Sequence, residues 1–289
     1  MTWPEVIYEY DGSFDGLLCC IFESYTKKEL PAAFFRFGEL EPSLYEVRAV
    51  PTDAAHARRV YAGFRRYSPE VGPFLYRAVL TCLAAKELAL YRVAAKLYRE
   101  GAPLLSRLHD DAVLPLRRAV RHLNGELEQY RGFVRFSDIG GVLAGEIEPK
   151  NRVLPLLRGH FCARCREETF FLYDRTHREA LFYTGGRSAI VPLEEFHMAP
   201  PDDAELAYRR LWCCFYDTVA IRERENPKLR MTHMPKRYWA MMTEFQSETD
   251  AIPPSPAPRA GVPAPAAPDA TPAPATPAAR GPSAPASTT

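Results

Sequence analysis

Arginine side chains near the ends of predicted strands are the groups in this sequence most able to bind a charged ligand. A guanidinium group is planar and carries several N–H donors, so it matches phosphate and carboxylate oxygens in pairs. If these side chains converge in the fold, they form a local anion site; otherwise they are scattered surface charge. The set comprises Arg131, Arg135, Arg152, Arg175 and Arg187, together with His160.

A second group of candidates lies near the C-terminal end of the predicted fold. Lys236, Arg237, Tyr238 and Trp239 follow one another directly. Two cations beside two flat rings suit stacking on nucleobases together with neutralisation of phosphates. Alternatively, Pro235 begins a helix that buries Tyr238 and Trp239 and leaves the two cations exposed.

Three residues could exchange protons with a substrate, namely His160, Glu146 and Asp174. Glu146 and Glu148 alternate onto one face of a predicted strand, where they form either a pair of working carboxylates or a solvated sheet face. The sequence contains neither a GxSxG nucleophile turn nor a GxxxxGK[ST] phosphate loop. A catalytic role for the three residues is therefore a hypothesis without an identified substrate.

Cys162 and Cys165 form a CxxC pair that could bind zinc together with a nearby histidine. A structural zinc site needs a second pair of ligands, and the adjacent Cys213 and Cys214 do not have that spacing. The sequence also contains no CxxxCxxC triplet of the kind that holds an iron–sulfur cluster in radical SAM enzymes. We therefore predict buried thiols, no metal and no cofactor.

The periodicity of apolar residues predicts an α+β fold. From Leu116 to Tyr130 these residues step by four, three, four and three, which is typical of a helix with one buried side. The stretches FVRFSDIGGVLAGEIEP and TFFLYDRTHREALFYTGGRSAIVPL then alternate with a period of two around glycine turns. Because helical patterns precede and follow them, we expect an antiparallel β meander flanked by helices.

A long helix is predicted to begin at Asp202 or Asp203, after two prolines. Its apolar residues recur at helical spacing, which predicts a buried side. The residues expected on that side are Ala207, Leu211, Phe215 and Val219.

The composition changes sharply once, near residue 251. We expect residues 1–85 to form an N-terminal α/β segment packed on an α+β core domain of residues 86–250. Residues 251–289 include 12 prolines in 39 positions and no aromatic residue. Such a segment cannot bury enough apolar surface to offset its ordering entropy, so we expect a disordered tail. It is a tether, a ligand for proline-binding domains or an inert extension.

The overall charge and the cysteine content narrow the class of protein. The formal net charge is only +1, so any contact with nucleic acid requires a local patch rather than a general field. No apolar run is long enough to cross a membrane, and no signal peptide is recognisable. Seven cysteines with two adjacent pairs make a poor disulfide framework, so we expect a cytoplasmic protein.

Four stretches carry a resemblance to a known family: YDGSFDGLLCCIFESY, RGFVRFSDIGGVLAGEIEPKNRVLPLLRGHF, FLYDRTHREALFY and IRERENPKLRMTHMPKRYW. In this order they resemble the bacterial family described as probable DNA metabolism proteins, over about residues 5–247. The C-terminal part resembles a domain of unknown function that also occurs fused to uracil-DNA-glycosylase-like domains. The resemblance implies a role beside a radical SAM partner that modifies or repairs DNA, and it implies no catalytic residue.

Residues and resemblance together favour an accessory protein of DNA repair or modification. It would bind nucleic acid, DNA rather than RNA, or the radical SAM partner, or both. The alternative is a hydrolase or transferase that acts on a nucleotide or a damaged base. The candidate nucleic-acid contacts are Arg131, Arg135, Arg152, Arg175, Arg187, Lys236, Arg237, Tyr238 and Trp239.

Overall fold

The computed structural model of the protein describes residues 3–39, 42–107 and 109–248. Its strands are β1 (Glu5–Tyr10), β2 (Leu30–Arg36), β3 (Glu46–Ala49), β4 (Ser137–Ile139), β5 (Val142–Ile147), β6 (Phe170–Asp174), β7 (Glu179–Thr184) and β8 (Arg187–Pro192). Its α-helices are α1 (Phe14–Lys27), α2 (Ala54–Tyr67), α3 (Val71–Val79), α4 (Lys86–Glu100), α5 (Pro103–Ser106), α6 (Val113–Phe133), α7 (Leu154–Arg164), α8 (Asp203–Val219) and α9 (Pro227–His233). Short 3-10 helices occupy Arg222–Arg224, Lys236–Met241 and Thr243–Glu248. The predicted tail lies outside the described residues.

Three parallel strands form the smaller sheet, in the order β2-β1-β3. The chain turns from β1 into α1 at Gly12, whose φ of +76° is a conformation that glycine adopts without strain. Ser13 then caps α1, because its hydroxyl accepts a hydrogen bond from the Gly16 amide at 2.9 Å. This β1–α1–β2 unit places α1 beside α2, while α1 and α4 contact strands of the small sheet.

The larger sheet has five strands in the order β4-β5-β6-β7-β8. Neighbouring strands are antiparallel except for β5 and β6, which run parallel. The exception has a topological cause, since parallel neighbours need a crossover connection and α7 supplies it between these two strands. The predicted α+β class is confirmed, with one parallel pairing inside the expected meander.

Helix α6 joins the two largest of the three apolar cores among the described residues. Leu116 and Val120 pack with the helices of the N-terminal half, whereas Leu123 and Leu127 pack with α7 and the larger sheet. The 21 residues of α6 extend over about 30 Å, at a rise of about 1.5 Å per residue. Neither α6 nor any other helix among the described residues is long and apolar enough to cross a bilayer.

Helix α8 docks with the side opposite to the predicted one. Leu211, Phe215 and Val219 are 65%, 56% and 56% exposed, and Ala207 is exposed as well. The prediction of a buried apolar side on this helix is therefore wrong. The side that faces the protein carries the ion pair of Glu205 and Arg209 instead. Polar groups on β4 and on Thr243–Glu248 meet this side, so polar pairing rather than apolar burial sets the orientation of α8.

Replacing one leucine from each of two helices tests this orientation. Leu123 on α6 is fully buried, so Leu123→Ala is expected to lower the free energy of unfolding by about 2–5 kcal/mol. Leu211→Ala is expected to change it by less than about 0.5 kcal/mol, because the side chain already contacts solvent. Urea denaturation of both variants measures the difference. A comparable loss in the two variants would show that the apolar side of α8 is buried in solution.

Candidate anion-binding site

A cavity of about 400 Å³ opens where the carboxyl ends of α6 and α7 meet the first half of α8. Four arginines from different parts of the chain line it: Arg131, Arg135, Arg164 and Arg209. Glu205 is the one carboxylate among its lining residues, so the wall carries a formal charge of +3 from four guanidinium groups and one carboxylate. We call this feature the arginine cavity.

Four aromatic rings form much of the remaining wall of the arginine cavity. Phe136 and Phe161 belong to the apolar base, and their rings meet edge to face at 5.4 Å between centroids. Tyr208 and Trp212 stand on α8 at the rim, where Tyr208 is 67% exposed and Trp212 is 38% exposed. The cavity therefore combines cationic groups with exposed ring faces.

The buried carboxylate of Glu244 fixes one side of the cavity. Its two oxygens accept hydrogen bonds from Arg135, from Nη2 at 2.6 Å and from Nε at 3.2 Å. The indole Nε1 of Trp212 donates to the same carboxylate at 2.9 Å. The guanidinium of Arg135 also lies over the ring of Trp212, 5.2 Å from its centroid. Glu244 thus holds a cation and a ring in a fixed relation.

Burial and hydrogen bonding act in opposite directions on Glu244. Burial alone would raise the pKa of this carboxyl group, but the hydrogen bonds from Arg135, from its own backbone amide and from Trp212 lower the pKa below its ordinary value. The carboxylate is therefore ionised at neutral pH and keeps Arg135 in place.

Glu205 plays the corresponding role for Arg209 on α8. Its Oε1 accepts from Arg209 Nε at 2.8 Å, and its Oε2 accepts from the Asp138 amide at 3.0 Å. Burial would raise the pKa of Glu205, but hydrogen bonds from Arg209, Ser137 and the Asp138 amide lower it. Arg209 reaches onward to the hydroxyl of Ser137 at 2.8 Å, which ties α8 to β4.

Unlike Arg135 and Arg209, Arg131 and Arg164 do not pair with a buried carboxylate. Arg131 pairs with Glu128 at 2.7 Å, but both side chains contact solvent, and Arg131 Nε is buried without a hydrogen-bond partner. Arg164 is exposed and forms no ion pair with any described residue. Both stand in the last turn of a helix, where a cation stabilises the carboxyl end. These two groups are available to a bound anion.

His160 lies behind the cationic side of the cavity. Burial lowers the pKa of its imidazole, and the nearby Arg131 and Arg164 lower it further. Its Nε2 is buried without a hydrogen-bond partner. The imidazole is therefore neutral at pH 7 and adds no positive charge to the site.

The other two proton-exchange candidates lie elsewhere. Asp174 is fully buried at the end of β6, where burial raises the pKa of its carboxyl group. Its oxygens accept from His177 Nδ1 at 2.8 Å and from the amides of Thr176 and His177 at 3.0 Å, which makes a local turn. Glu146 on β5 faces Arg175 at 3.9 Å. No hydrogen bond or ion pair among the described residues joins either carboxylate to His160.

Most of the predicted cations do not reach the arginine cavity. Arg152 donates three hydrogen bonds to the buried Glu179, and Arg237 lies 3.2 Å from the buried Glu126. Arg187 begins β8 at the hairpin with β7. Of the nine predicted nucleic-acid contacts, only Arg131 and Arg135 line the cavity. The structure does not bring the set together at one place.

The stretch Lys236–Met241 is largely a packing element. Tyr238 is 2% exposed and meets Tyr130 edge to face at 5.0 Å. Trp239 stacks on Phe245 at 4.6 Å, and the ammonium group of Lys236 lies over its ring at 5.7 Å. Tyr238 offers no free face to a base, so the geometry favours the alternative in which this stretch docks the end of the fold.

Cys162 and Cys165 pack against the apolar core beneath the larger sheet. Burial raises the pKa of the Cys165 thiol, which favours its protonated form. Within the described ranges, no three His, Cys, Asp or Glu side chains are placed to share a metal ion. The two thiols act here as small apolar side chains.

The sequence did not predict two of the four cavity arginines or either of the two rim aromatics. Arg164, Arg209, Tyr208 and Trp212 were not among the predicted contacts. The spacing of Glu205 and Arg209, four residues apart on a helix, is a local signal that could have indicated their pairing. Glu244 gives no such signal, because it is 109 residues from Arg135 in the chain.

Comparisons with known proteins give one family match. Residues 84–244 match the model of DUF4130, a domain of unknown function, and this range contains every residue that lines the arginine cavity. No curated protein matches the chain. A solved structure, the pGpG-specific phosphodiesterase PggH from Vibrio cholerae, is 11% identical, with 62% of this chain and 81% of that chain covered at a TM-score of 0.33. This likeness is too low to carry an argument about fold or function.

Glu244→Gln tests the carboxylate that holds the cavity. It removes the charge that pairs with Arg135, so we expect the free energy of unfolding to fall by about 2 kcal/mol at pH 7. The folded-state pKa of Glu244 is lowered from 4.5, so this stabilisation is present above that value and is lost as pH falls through the lowered folded-state pKa. Urea denaturation between neutral and acidic pH measures the difference in the free energy of unfolding between wild type and Glu244→Gln.

The matched control is Glu128→Gln, which breaks the exposed pair with Arg131. It should cost less than about 0.5 kcal/mol at any pH. If the difference in the free energy of unfolding between wild type and Glu244→Gln stays constant as the pH falls, the assignment of an ionised, buried Glu244 is contradicted.

Proposed function

This chain belongs to the DUF4130 family, a domain of unknown function, and we propose that it is an accessory protein of DNA metabolism that binds nucleic acid through the arginine cavity. The observation that carries the proposal is the convergence of four arginines and two rim aromatics on one cavity. The link to DNA repair or modification rests on the resemblance of the sequence to probable DNA metabolism proteins.

The lining of the cavity matches the two chemical parts of a nucleotide. Arg131 and Arg164 can donate to phosphate oxygens, because neither is held by a buried carboxylate. A base can stack on Trp212 at the rim, as bases do on exposed aromatic side chains. Arg135 and Arg209 are paired with the carboxylates of Glu244 and Glu205, so they fix the shape of the wall, and the positive charge that no buried carboxylate balances comes mainly from Arg131 and Arg164.

The size of the cavity limits the ligand. Small-molecule sites have volumes of roughly 300–1,000 Å³, and a cavity of about 400 Å³ fits one nucleotide unit. A duplex is too wide to enter it, so the proposed ligand is a single strand or an unpaired nucleotide. With a net charge of only +1 on the whole chain, the affinity should come from this local site.

A radical SAM enzyme is the proposed protein partner, and this part rests on the resemblance alone. Helix α8 provides a surface on which to test it, since Leu211, Phe215 and Val219 form an exposed apolar stripe. A stripe of this kind on a protein surface is typical of an interaction site. The accessory protein would then hold the nucleic acid beside the enzyme that modifies it.

The alternative is a hydrolase or transferase acting on a nucleotide or a damaged base. The observation that favours it is the neutral imidazole of His160, which lies near Arg131 and Arg164. The lining of the cavity gives less support, since its one carboxylate, Glu205, is occupied by Arg209. Turnover of a nucleotide by the purified chain, lost in His160→Ala, would favour the alternative.

Charge reversal in the cavity tests nucleic-acid binding. The double variant Arg131→Glu, Arg164→Glu is expected to weaken binding of a short oligothymidylate by at least about tenfold. The dependence of the logarithm of affinity on the logarithm of salt concentration should become shallower by about 1–1.5, as two phosphate contacts are lost. Fluorescence anisotropy of a labelled oligonucleotide measures both effects.

The control changes the net charge by the same amount at a different place. Arg175→Glu, Arg187→Glu alters two exposed cations that do not line the cavity, and binding should remain within about twofold of wild type, with the same salt dependence. Equal losses in the two double variants would show that general charge, not the cavity, attracts the oligonucleotide.

A separate pair of variants tests the partner. Leu211→Ser, Phe215→Ser is expected to abolish co-purification with a tagged radical SAM partner, while oligothymidylate binding is retained. Pull-down from cells that express both proteins, followed by nuclease digestion, distinguishes a protein contact from a shared nucleic acid. Retention of the partner by the variant after digestion would exclude α8 as the contact surface.

A further inference from the structure

The N-terminal half carries a groove that the arginine cavity does not explain. Two cavities of about 760 and 650 Å³ lie side by side on α1, α2 and α4, and both are lined by Tyr25 and Tyr98. The first also contacts Trp3 and the second Phe22. We call the pair of cavities the N-terminal groove.

Aromatic rings run along this groove. Trp3 meets Tyr25 edge to face at 5.8 Å, and Tyr25 meets Tyr98 in the same manner at 5.5 Å. Tyr25 is 40% exposed. Phe22 stacks on His56 at 4.0 Å, and the guanidinium of Arg59 lies over its ring at 5.8 Å. The groove therefore presents several ring faces and edges to a ligand.

Of the cations that line the groove, Lys96 pairs with Asp110 at 2.7 Å, whereas the four arginines have no ion pair among the described residues. Arg59 and Arg66 line one cavity, and Arg92 and Arg99 line the other; all four are exposed. None of them pairs with a carboxylate in the described part of the chain. Among the residues that line the two cavities, Asp111 is the one carboxylate. These arginines can meet an external anion without breaking an ion pair.

Helix α6 connects the groove with the arginine cavity. Ala112, which borders the groove, directly precedes α6, and Arg131 in its last turn lines the cavity. Between them, the exposed side chains of Arg117, Arg118 and Arg121 stand on α6, and the described residues provide no ion pair for them. The two sites are thus separated by a helix of about 30 Å that itself carries free cations.

We propose that the N-terminal groove binds the continuation of a single-stranded nucleic acid whose terminal or unpaired nucleotide occupies the arginine cavity. The proposal extends the proposed function and depends on it for the class of ligand. Phosphates would contact Arg66 and Arg99, and bases would stack against Tyr25 and its neighbours, the combination that sequence-independent binders of single strands use. At the spacing of about 3.4 Å per nucleotide found in a duplex strand, the length of α6 corresponds to at most roughly nine nucleotides, and an extended single strand spans it with fewer.

The shape of the groove favours nucleic acid over an anionic membrane surface, which could also attract arginines. The rings of Tyr25 and Tyr98 line recessed cavities rather than projecting as a wedge. A bilayer surface cannot enter such a recess, whereas a flexible strand can. Membrane binding is therefore an outcome that the test must exclude.

The test compares two lengths of labelled oligothymidylate, about four and about twelve nucleotides, on the full chain. The variants are Arg66→Glu, Arg99→Glu in the groove and Arg131→Glu, Arg164→Glu in the cavity. We expect wild type to bind the longer strand at least tenfold more tightly than the shorter one. The groove variant should lose that advantage and keep its affinity for the shorter strand, whereas the cavity variant should lose affinity for both.

The outcomes separate this inference from the proposed function. If the groove variant keeps the length advantage while the cavity variant binds neither strand, the groove proposal is overturned and the cavity proposal stands. If only the groove variant loses affinity, for both lengths, the groove binds nucleic acid and the cavity proposal fails. Binding of phosphatidylserine vesicles that the groove variant abolishes, with no effect on oligonucleotide affinity, would overturn the groove proposal in favour of a membrane surface.

Conservative variants guard against a loss of folding. Arg66→Lys, Arg99→Lys retains both charges at exposed positions. If wild type binds the longer strand about tenfold more tightly than the shorter one, this variant should still bind it at least about threefold more tightly. Tyr25→Leu removes a ring but keeps an apolar side chain, and it should weaken binding of the longer strand severalfold. A lysine pair that behaves like the glutamate pair would contradict an electrostatic role for these arginines.

Discussion

A carboxylate that is removed from water must be paired, and this constraint decides which arginines of this protein remain free. Burial of an unpaired charge costs several kcal/mol, so a buried glutamate in a stable fold is found with a cation or several N–H donors. Four glutamates of the C-terminal half are each less than 10% exposed, and each holds one arginine. The pairs are Glu126–Arg237, Glu179–Arg152, Glu205–Arg209 and Glu244–Arg135.

The same constraint gives the arginine cavity its two kinds of cation. Arg135 and Arg209 are oriented by buried carboxylates and cannot leave without a large loss of stability. Arg131 and Arg164 stand at helix ends and contact solvent, so they can exchange water for a ligand. A rigid wall together with two adaptable cationic donors suits a charged ligand, because little ordering of the wall remains to be done on binding.

Helices and strands that follow from the local sequence pattern were predicted. Contacts between residues that are far apart in the chain were not. The one-sided helix around Leu116 to Tyr130 and the strands around the glycine turns follow from periodicity, and the structure contains them. Strand β2 was not predicted. It contains Pro31, a residue without an amide proton that is tolerated here because β2 is an edge strand. The orientation of α8 was predicted wrongly because the spacing of its apolar residues indicated a buried apolar side. Its actual orientation depends on Glu205 and Trp212, whose hydrogen-bond partners lie far away in the chain.

Fluorine NMR of protein labelled with fluorotryptophan tests the central claim most directly, because the chain has 3 tryptophans in three environments. Trp212 stands at the rim of the arginine cavity, whereas Trp239 is stacked on Phe245 in the C-terminal docking element. On titration with an oligothymidylate of about four nucleotides, the resonance of Trp212 should shift to saturation while that of Trp239 stays in place. A saturating shift of Trp239 with Trp212 unmoved would contradict the account and locate binding at Lys236–Trp239 instead.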